Sequence, residues 1–242
     1  MNVLIISDVH GNQQAFEATL KKAQQCCRID ACIFLGDMID YGMHSNEVIH
    51  IARCLELPIL CNLRGNHEDA IINEDYSRFS TDRGRKSAQY THSILSKGAW
   101  EYIINEMHGS GMSRFEMDGK KCLAVHGCLT DEYWASITAD VDPNDYSEYD
   151  YVFSGHSHRP HFFEKYVASG NIKTRNQKKI VFINPGSVGQ PRNINAMAQY
   201  VLLDTVTEEV IMGKVSYDIS KEQESYGGQV DDFYKERLGL GI

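Results

Sequence analysis

The first 63 residues alternate short apolar runs with amphipathic segments, and this alternation is the feature that most restricts the fold. The apolar runs have the length of buried strands, whereas the segments between them repeat apolar residues at helical spacing. Strands are predicted at residues 3–7, 31–35 and 59–63, and helices at residues 12–27 and 45–57. Because strands that alternate with helices form a parallel sheet, an α/β fold is predicted for this part of the chain.

Beyond residue 110 the chain becomes rich in predicted strands. Residues 67–107 have helical character, and residues 112–117 and 121–125 are predicted to pair as a hairpin around Asp118-Gly119. Further strands are predicted at residues 151–154, 161–167, 180–183, 198–204 and 209–215. No linker rich in Pro, Gly or Ser and no repeat divides the chain, so residues 1–242 are predicted to form one domain with two packed sheets. The role of the polar tail from about residue 220 is not defined by the sequence.

The composition excludes several classes of protein. Apolar residues make up 42% and charged residues 24%, as in soluble globular proteins, and no apolar run approaches the roughly 20 residues of a membrane-spanning helix. The first residues lack the basic region of a signal peptide, which predicts a cytoplasmic location without membrane association. With 24 basic and 33 acidic residues, the net charge of −9 opposes broad binding to nucleic acid. Seven cysteines without a C-x-x-C pair predict reduced thiols.

Side chains that can bind metal follow the predicted strands. Five of the ten histidines stand just after a predicted strand and within three residues of Gly, Asp or Asn, namely His10, His67, His126, His156 and His158. Asp8, Asp37 and Asn66 also lie just after predicted strands. In open α/β sheets, ligands bind beyond the carboxyl ends of the strands. Imidazole combined with carboxylate and amide oxygen suits Mn, Fe, Zn, Ni or Co. The sequence therefore predicts a catalytic metal site at these strand ends.

These residues fall within five short motifs, and a sixth motif follows them. In chain order they are Asp8-Val9-His10, Gly36-Asp37-Met38-Ile39-Asp40, Gly65-Asn66-His67-Glu68, His126-Gly127, Gly155-His156-Ser157-His158 and Asn184-Pro185-Gly186-Ser187-Val188-Gly189-Gln190-Pro191-Arg192. In order, spacing and residue type, the first five resemble the motifs of the calcineurin-like metallophosphoesterase superfamily. The sixth resembles the closing motif of its small bacterial and archaeal branch, which includes phosphodiesterases and diadenosine-tetraphosphatase-like proteins.

The resemblance implies a four-layer α/β/β/α sandwich, in which two packed mixed sheets are flanked by helices. It also implies a centre of two divalent ions, drawn from Mn, Fe, Zn, Ni or Co. The implied ligands form two sets that share Asp37, namely Asp8, His10 and His158 for one ion and Asn66, His126 and His156 for the other. Two ions roughly 3.5 to 4 Å apart can hold a bridging hydroxide that attacks a phosphate ester. The implied activity is hydrolysis of a phosphodiester, a phosphomonoester or a dinucleoside polyphosphate.

Three further residues match functional positions of the superfamily. His67 matches a histidine that protonates the leaving oxygen, and Asp40 matches the acid that pairs with it in the protein-phosphatase branch. Arg64 resembles an arginine of that branch that faces the substrate phosphate, with a salt bridge beneath the sheet as the alternative. Tyr41 stands where that branch has an arginine, so one bidentate phosphate contact is missing. A small phosphate ester or dinucleotide is therefore the predicted substrate.

Two other functions remain as alternatives. The first is a Ser/Thr protein phosphatase, and the second is a non-catalytic protein-binding scaffold of the same fold, whose metal positions have decayed. Every ligand type is present here, which disfavours the scaffold. Tyr133-Trp134 could stack on a nucleobase, although packing within a helix is predicted, and the basic residues between 173 and 179 are predicted to form a solvated hairpin tip. Whether identical copies assemble stays open.

Overall fold

Two five-stranded mixed sheets pack face to face in the computed structural model, which describes residues 1–242. The first sheet contains, in spatial order, β10 (Glu209–Val215), β9 (Ala198–Asp204), β1 (Asn2–Ile6), β2 (Ala31–Phe34) and β3 (Ile59–Asn62). The second contains β4 (Met112–Met117), β5 (Lys120–Val125), β6 (Tyr151–Ser154), β8 (Gln177–Asn184) and β7 (His161–Ala168). The predicted α/β fold with two packed sheets is confirmed.

Seven α-helices accompany the sheets. They are α1 (Gln13–Cys26), α2 (Ser45–Arg53), α3 (Asn66–Asn73), α4 (Asp82–Ile94), α5 (Lys97–Asn105), α6 (Ile219–Glu224) and α7 (Phe233–Glu236). Polar caps define where several of them begin, because the side chains of Asn12, Thr81 and Ser96 accept hydrogen bonds from otherwise unpaired amides of the first turn. None of the helices combines the length and apolar character needed to cross a bilayer.

Each sheet contributes three parallel strands whose carboxyl ends meet. Strands β1, β2 and β3 run parallel to one another, as do β5, β6 and β8. The two sets of strand ends are joined where the amides of Val188 and Gly189 donate to the carbonyls of Ser7 and Asp8. Polar loops from both sheets therefore converge at one edge, which is where a site is expected in such sheets.

The buried strands pack on both faces. In β1, Val3 and Ile5 face the core between the two sheets, whereas Leu4 and Ile6 face the helices α1 to α5. This two-sided burial explains the continuous apolar runs in the sequence. The outer face of the second sheet is covered by residues 128–149, which contain only the 3₁₀ turn Pro143–Tyr146. The helical layer on that side is thus reduced to a single turn.

The C-terminal tail packs beside the edge where the loops converge. Tyr226, Val230, Tyr234 and Leu238 are buried in a small cluster together with Tyr41, which lies in the loop after β2. The rings of Tyr41 and Tyr234 stack with their centroids 4.4 Å apart. Tyr41 in turn contacts the ring of His67 at 4.5 Å between centroids. The tail therefore supports a residue that borders the predicted site.

Replacing Tyr234 by Ala is expected to lower the free energy of unfolding by about 3 kcal/mol, because loss of a buried ring leaves a cavity against Tyr41. Urea denaturation of the full chain measures this change. Leu240 lies in the same tail but is 56% exposed, so Leu240→Ala is the control and is expected to change stability by less than about 0.5 kcal/mol. Equal losses in the two variants would contradict the anchoring role of the cluster.

Candidate metal centre

The loops at the strand ends bring all seven predicted metal ligands together. Asp8 and His10 follow β1, Asp37 follows β2, and Asn66 begins α3 after β3. The second sheet supplies the remaining three, since His126 follows β5 and both His156 and His158 follow β6. All seven are buried except His156, which is half-buried. Three overlapping groups of their side chains, one of which includes His67, are close enough to hold a metal ion.

One end of the cluster consists of Asp8, His10 and His158. The Nε2 atom of His158 lies 3.2 Å from Asp8 Oδ1 and 3.2 Å from His10 Nε2. These donors come from β1 and β6, which belong to different sheets. The packing of the two sheets therefore determines the spacing of this donor set.

The other end consists of Asn66, His126 and His156. The Oδ1 atom of Asn66 lies 3.0 Å from His126 Nε2 and 2.9 Å from His156 Nδ1. Asp37 stands between the two ends, because its Oδ2 atom is 3.2 Å from His126 Nε2 and 3.7 Å from His10 Nε2. Asp37 is thus the only carboxylate among these ligands that is near histidines of both ends.

Backbone carbonyls orient three of the histidines. The Nδ1 atoms of His10, His126 and His158 lie 3.2, 2.7 and 2.6 Å from the carbonyl oxygens of Ile39, Leu35 and Gln190. An Nδ1 that donates its proton to a carbonyl leaves the Nε2 lone pair directed into the cluster. Histidine ligands of metal ions are typically held in this way by a second contact.

The donor set fits divalent cations. Both carboxylate oxygens of Asp8 are buried and accept no hydrogen bond. Burial holds the pKa values of His10 and His158 well below the ordinary range, so their neutral rings direct two lone pairs at each other. Burial also raises the pKa of Asp8 to about 7. Converging acceptors that lack donors are the arrangement that a metal ion completes.

The loops carrying these ligands adopt a backbone conformation that is uncommon outside glycine. Asp8, His10, Asp37, His156 and His158 all have φ between 49° and 61°, in the left-handed region. Non-glycine residues in this region are uncommon and cluster at functional sites when the surrounding structure holds them there. These five residues therefore turn sharply at the strand ends, and their side chains lie in one cluster.

His67 and Asp40 form a fixed pair at the edge of the cluster. The Nδ1 atom of His67 lies 2.6 Å from Asp40 Oδ2, while Asp40 Oδ1 accepts hydrogen bonds from the hydroxyls of Ser87 and Thr91. Burial opposes protonation of His67, but the charges of Asp37 and Asp40 outweigh it and raise the pKa of the ring. The Nε2 atom of His67 lies 3.9 Å from Asp37 Oδ2. The pair therefore presents an oriented imidazole, whose protonated form is stabilised, next to the candidate ligands.

Arg64 is the one predicted site residue that the structure does not bring to the cluster. Its Nε atom donates to the carbonyl of Ile103 and its Nη2 atom to that of Ile104, both in α5. The guanidinium therefore satisfies carbonyls near the end of a helix instead of facing the pocket. This corrects the expectation that Arg64 contacts the substrate, and the alternative salt bridge is not formed either.

Trp134 lies in a turn, so the expected helix at this position is wrong. Its ring packs edge-on against Phe79 at 5.3 Å between centroids, and it lines the pocket in front of the ligands. In the basic hairpin, Lys179 pairs with Glu164 of β7 and with Glu208 in the turn between β9 and β10. These pairings leave Lys179 away from the metal ligands.

Arg192 is a site residue to which sequence reasoning assigned no role, although it ends the sixth motif. It lines the pocket in front of the ligands together with His156 and His158. Its Nε atom is buried without a hydrogen-bond partner, and the guanidinium has no carboxylate within 4.0 Å. The available signal in the sequence was that this arginine ends the sixth motif, which follows five motifs that contain the candidate ligands.

Glu68 is a second residue near the candidate site to which the sequence analysis assigned no role. Its carboxylate is fully buried and accepts hydrogen bonds from the amides of Asp37, Met38 and Gly65 at 2.9, 2.7 and 2.8 Å. A carboxylate adjacent to His67 in the third motif was visible in the sequence, but two of its three partners, Asp37 and Met38, lie about 30 residues earlier in the chain. Glu68 thus positions the ligand loop without contacting the pocket.

The chain belongs to the calcineurin-like phosphoesterase superfamily, because the sequence model of that superfamily domain matches residues 1–208. It is similar to the uncharacterized protein MJ0912 of Methanocaldococcus jannaschii, with 27% identity over 99% of this chain and 98% of that protein. The crystal structure of a metallophosphoesterase from Sphaerobacter thermophilus superposes with a TM-score of 0.76 at 26% identity and covers all of both chains. Serine/threonine-protein phosphatase 2 of Escherichia coli K12 is 33% identical over 43% of this chain and 42% of its own length. The predicted superfamily is confirmed.

The unpaired carboxylate of Asp8 leads to a prediction about the metal-free protein. Because burial raises its pKa from 3.8 to about 7, its ionisation destabilises the folded state increasingly as the pH rises through this interval. At pH 8, Asp8→Asn is expected to raise the Tm of the metal-free protein by about 3 °C or more, and to remove most of the further rise that Mn²⁺ produces in the wild type. Differential scanning calorimetry with and without Mn²⁺ measures both effects.

Asp145→Asn is the matched control, because Asp145 is exposed and forms no ion pair. This variant is expected to keep both the metal-free Tm and the response to Mn²⁺. A metal-free Asp8→Asn protein that is less stable than the wild type would contradict the destabilising effect of the buried carboxylate. A full response of this variant to Mn²⁺ would contradict the role of Asp8 as a ligand.

Proposed function

We propose that the protein is a hydrolase of small phosphate esters that depends on two divalent metal ions. The observation that carries this proposal is the position of Asp37, with His10 on one side and His126 on the other. A carboxylate shared in this way suits a bridge between two ions, with Asp8, His10 and His158 around one and Asn66, His126 and His156 around the other. Mn, Fe, Zn, Ni and Co all accept this mixture of ligands.

Two divalent ions, when bound, would supply an activated water and positive charge against the phosphate oxygens. The residues of the chain supply the remaining functions. His67 is the proposed general acid, because Asp40 fixes the ring and stabilises its protonated form. Its Nε2 proton would pass to the leaving oxygen as the bond to phosphorus breaks. No serine or cysteine nucleophile is needed for this reaction.

Arg192 is proposed to hold the phosphate. Its guanidinium borders the same pocket as His67, and its unpartnered Nε atom can donate to a phosphate oxygen. Hydrogen bonds between arginine and phosphate are charge-assisted and often bidentate. A single arginine in this position can balance the negative charge of the substrate although the whole chain carries a net charge of −9.

A protein phosphatase is the second candidate function. It is supported by the His67–Asp40 pair and by the local similarity to serine/threonine-protein phosphatase 2 of Escherichia coli. Against it stand the buried Tyr41, which replaces an arginine of that branch, and Arg64, whose guanidinium is held by α5. A protein-binding scaffold is disfavoured because all seven donors converge in this chain.

Removing the shared carboxylate is expected to affect both ions. Wild-type protein saturated with Mn²⁺ and freed of excess metal should retain two ions per chain, as predicted by the two donor sets. Asp37→Ala should lose most of both, whereas His158→Ala should lose mainly one, because His158 contacts only one set. Inductively coupled plasma mass spectrometry measures the ratio of metal to protein.

Asp69→Ala is the control for this experiment, because Asp69 lies one turn beyond Asn66 in α3 and belongs to none of the metal-binding groups. It should retain the wild-type metal content. Full occupancy in Asp37→Ala, or clearly fewer than two ions in the wild type, would contradict a bridging role for Asp37.

The proposed acid role of His67 predicts a dependence on the leaving group. His67→Asn should keep both ions but lower kcat by roughly 10²- to 10⁴-fold on alkyl or nucleoside esters, whose leaving alkoxide needs a proton. The loss on nitrophenyl esters should be much smaller, because nitrophenolate leaves without protonation. Steady-state kinetics on both classes of ester, with metal content measured in parallel, tests this prediction.

Asp40→Asn should show the same selectivity more weakly, since it removes only the partner that orients and charges the ring. His50→Asn is the control, because His50 is exposed on α2. If His67→Asn slowed both classes of ester equally at unchanged metal content, the acid role would be refuted.

A further inference from the structure

A second cleft adjoins the metal pocket. It has a volume of about 510 Å³ and lies between residues 136–139 and the beginning of β7, whereas the metal pocket itself measures about 210 Å³. His156 and Arg192 line both spaces, so they stand at the junction. A phosphate group held at this junction would direct one of its substituents into the larger cleft.

The walls of this cleft are suited to a flat organic group. The rings of His161 and Phe163 lie 5.2 Å apart on one side, and Ile137 from the facing loop is almost fully buried on the other. The Nε2 atom of His161 is buried without a hydrogen-bond partner. Burial lowers the pKa of His161 to about 4, so the ring is neutral and offers one polar atom beside an aromatic surface.

Two arginines border the cleft without a carboxylate partner. Arg192 stands at the junction, and Arg159 is exposed, with its Nε atom donating to the backbone carbonyl of Arg192 at 3.3 Å. Neither guanidinium lies within 4.0 Å of an acidic side chain, although the chain has 33 acidic residues. The cleft therefore combines one aromatic wall with unbalanced positive charge, which favours an organic anion over a neutral ligand.

We propose that this cleft binds the organic substituent of a phosphodiester, an aromatic group of nucleoside size, while Arg192 holds the phosphate. Clefts that bind ligands of this size measure about 300–1,000 Å³, so the volume is adequate. Inorganic phosphate or a methyl ester would leave the cleft empty. The inference rests on the proposed function and narrows its substrate class to diesters with one large, flat substituent.

The experiment compares two diesters that share their charge and their leaving group. One is the nitrophenyl ester of thymidine 5′-monophosphate, and the other is methyl nitrophenyl phosphate. The wild-type protein loaded with Mn²⁺ is expected to prefer the thymidine ester by about tenfold in kcat/KM, mainly through a lower KM, since stacking of a base on aromatic side chains supplies an effect of this size.

Ser136→Trp places a large side chain in the cleft from an exposed loop position, without removing any core residue. It should abolish the preference while leaving the rate on the methyl ester within about twofold. Ser147→Trp makes the same exchange at an exposed position outside the cleft and should keep the preference. Phe163→Leu should weaken the preference, because an apolar but non-aromatic side chain replaces the ring.

A binding measurement separates this inference from the proposed function. In calorimetric titration of the Mn²⁺-loaded protein, thymidine 5′-monophosphate should bind more tightly than inorganic phosphate, and Ser136→Trp should remove the difference. If neither diester is cleaved, the proposed function fails, but this difference in binding still supports the cleft.

Equal binding of the two ligands by the wild type would overturn the inference, as would equal effects of Ser136→Trp on both esters. A phosphoserine peptide that binds more tightly than thymidine 5′-monophosphate, with the difference abolished by Ser136→Trp, would also overturn it and assign the cleft to a peptide.

Discussion

The buried carboxylate of Glu68 is the contact on which the geometry of the metal centre depends. It accepts hydrogen bonds from backbone amides of the loop after β2 and of the residue preceding α3. These bonds fix the position of Asp37 relative to Asn66 and His67. These hydrogen bonds satisfy the buried amides of the loop and so help to offset the left-handed strain at Asp37. The two loops approach so closely that a Cβ atom at Gly65 would lie 2.1 Å from Asp37 Oδ1. Glycine at this position is therefore a steric requirement of the close approach between the two loops.

Much of the fold and the clustering of the candidate ligands could be predicted from the sequence, because both depend on local patterns. Each ligand stands within a few residues of the strand that positions it, as Asp8 does after β1 and His126 after β5. Parallel strands place such ends at one edge, so a pattern read within short windows also specifies a three-dimensional cluster. The Asp118-Gly119 turn was predictable for the same reason, since both residues adopt the positive φ that this dipeptide favours between two strands.

The features that could not be predicted depend on contacts between distant segments. Nothing near Arg64 in the sequence indicates that the carbonyls of Ile103 and Ile104 hold its guanidinium. The tail acquires its role only because Tyr234 reaches Tyr41, which lies nearly 200 residues earlier. The covering of the second sheet by residues 128–149 likewise arises from packing on β5, β6 and β8, and the turn at Trp134 packs against Phe79. Local propensity contains no information about such partners, because tertiary packing overrides it.

The site divides into two parts that differ in how firmly they are held. His126, His158 and the His67–Asp40 pair are held by hydrogen bonds to backbone carbonyls or to one another, so their positions are set before any substrate arrives. Arg192 has no side-chain partner, and residues 136, 138 and 139 of the cleft are exposed. Preorganised donors favour the transition state because they need no rearrangement during the reaction, whereas unpaired groups at a rim can change their contacts with the ligand. In this chain the side chains held by hydrogen bonds therefore lie at the strand ends, whereas the loop and the arginines beside them are less constrained.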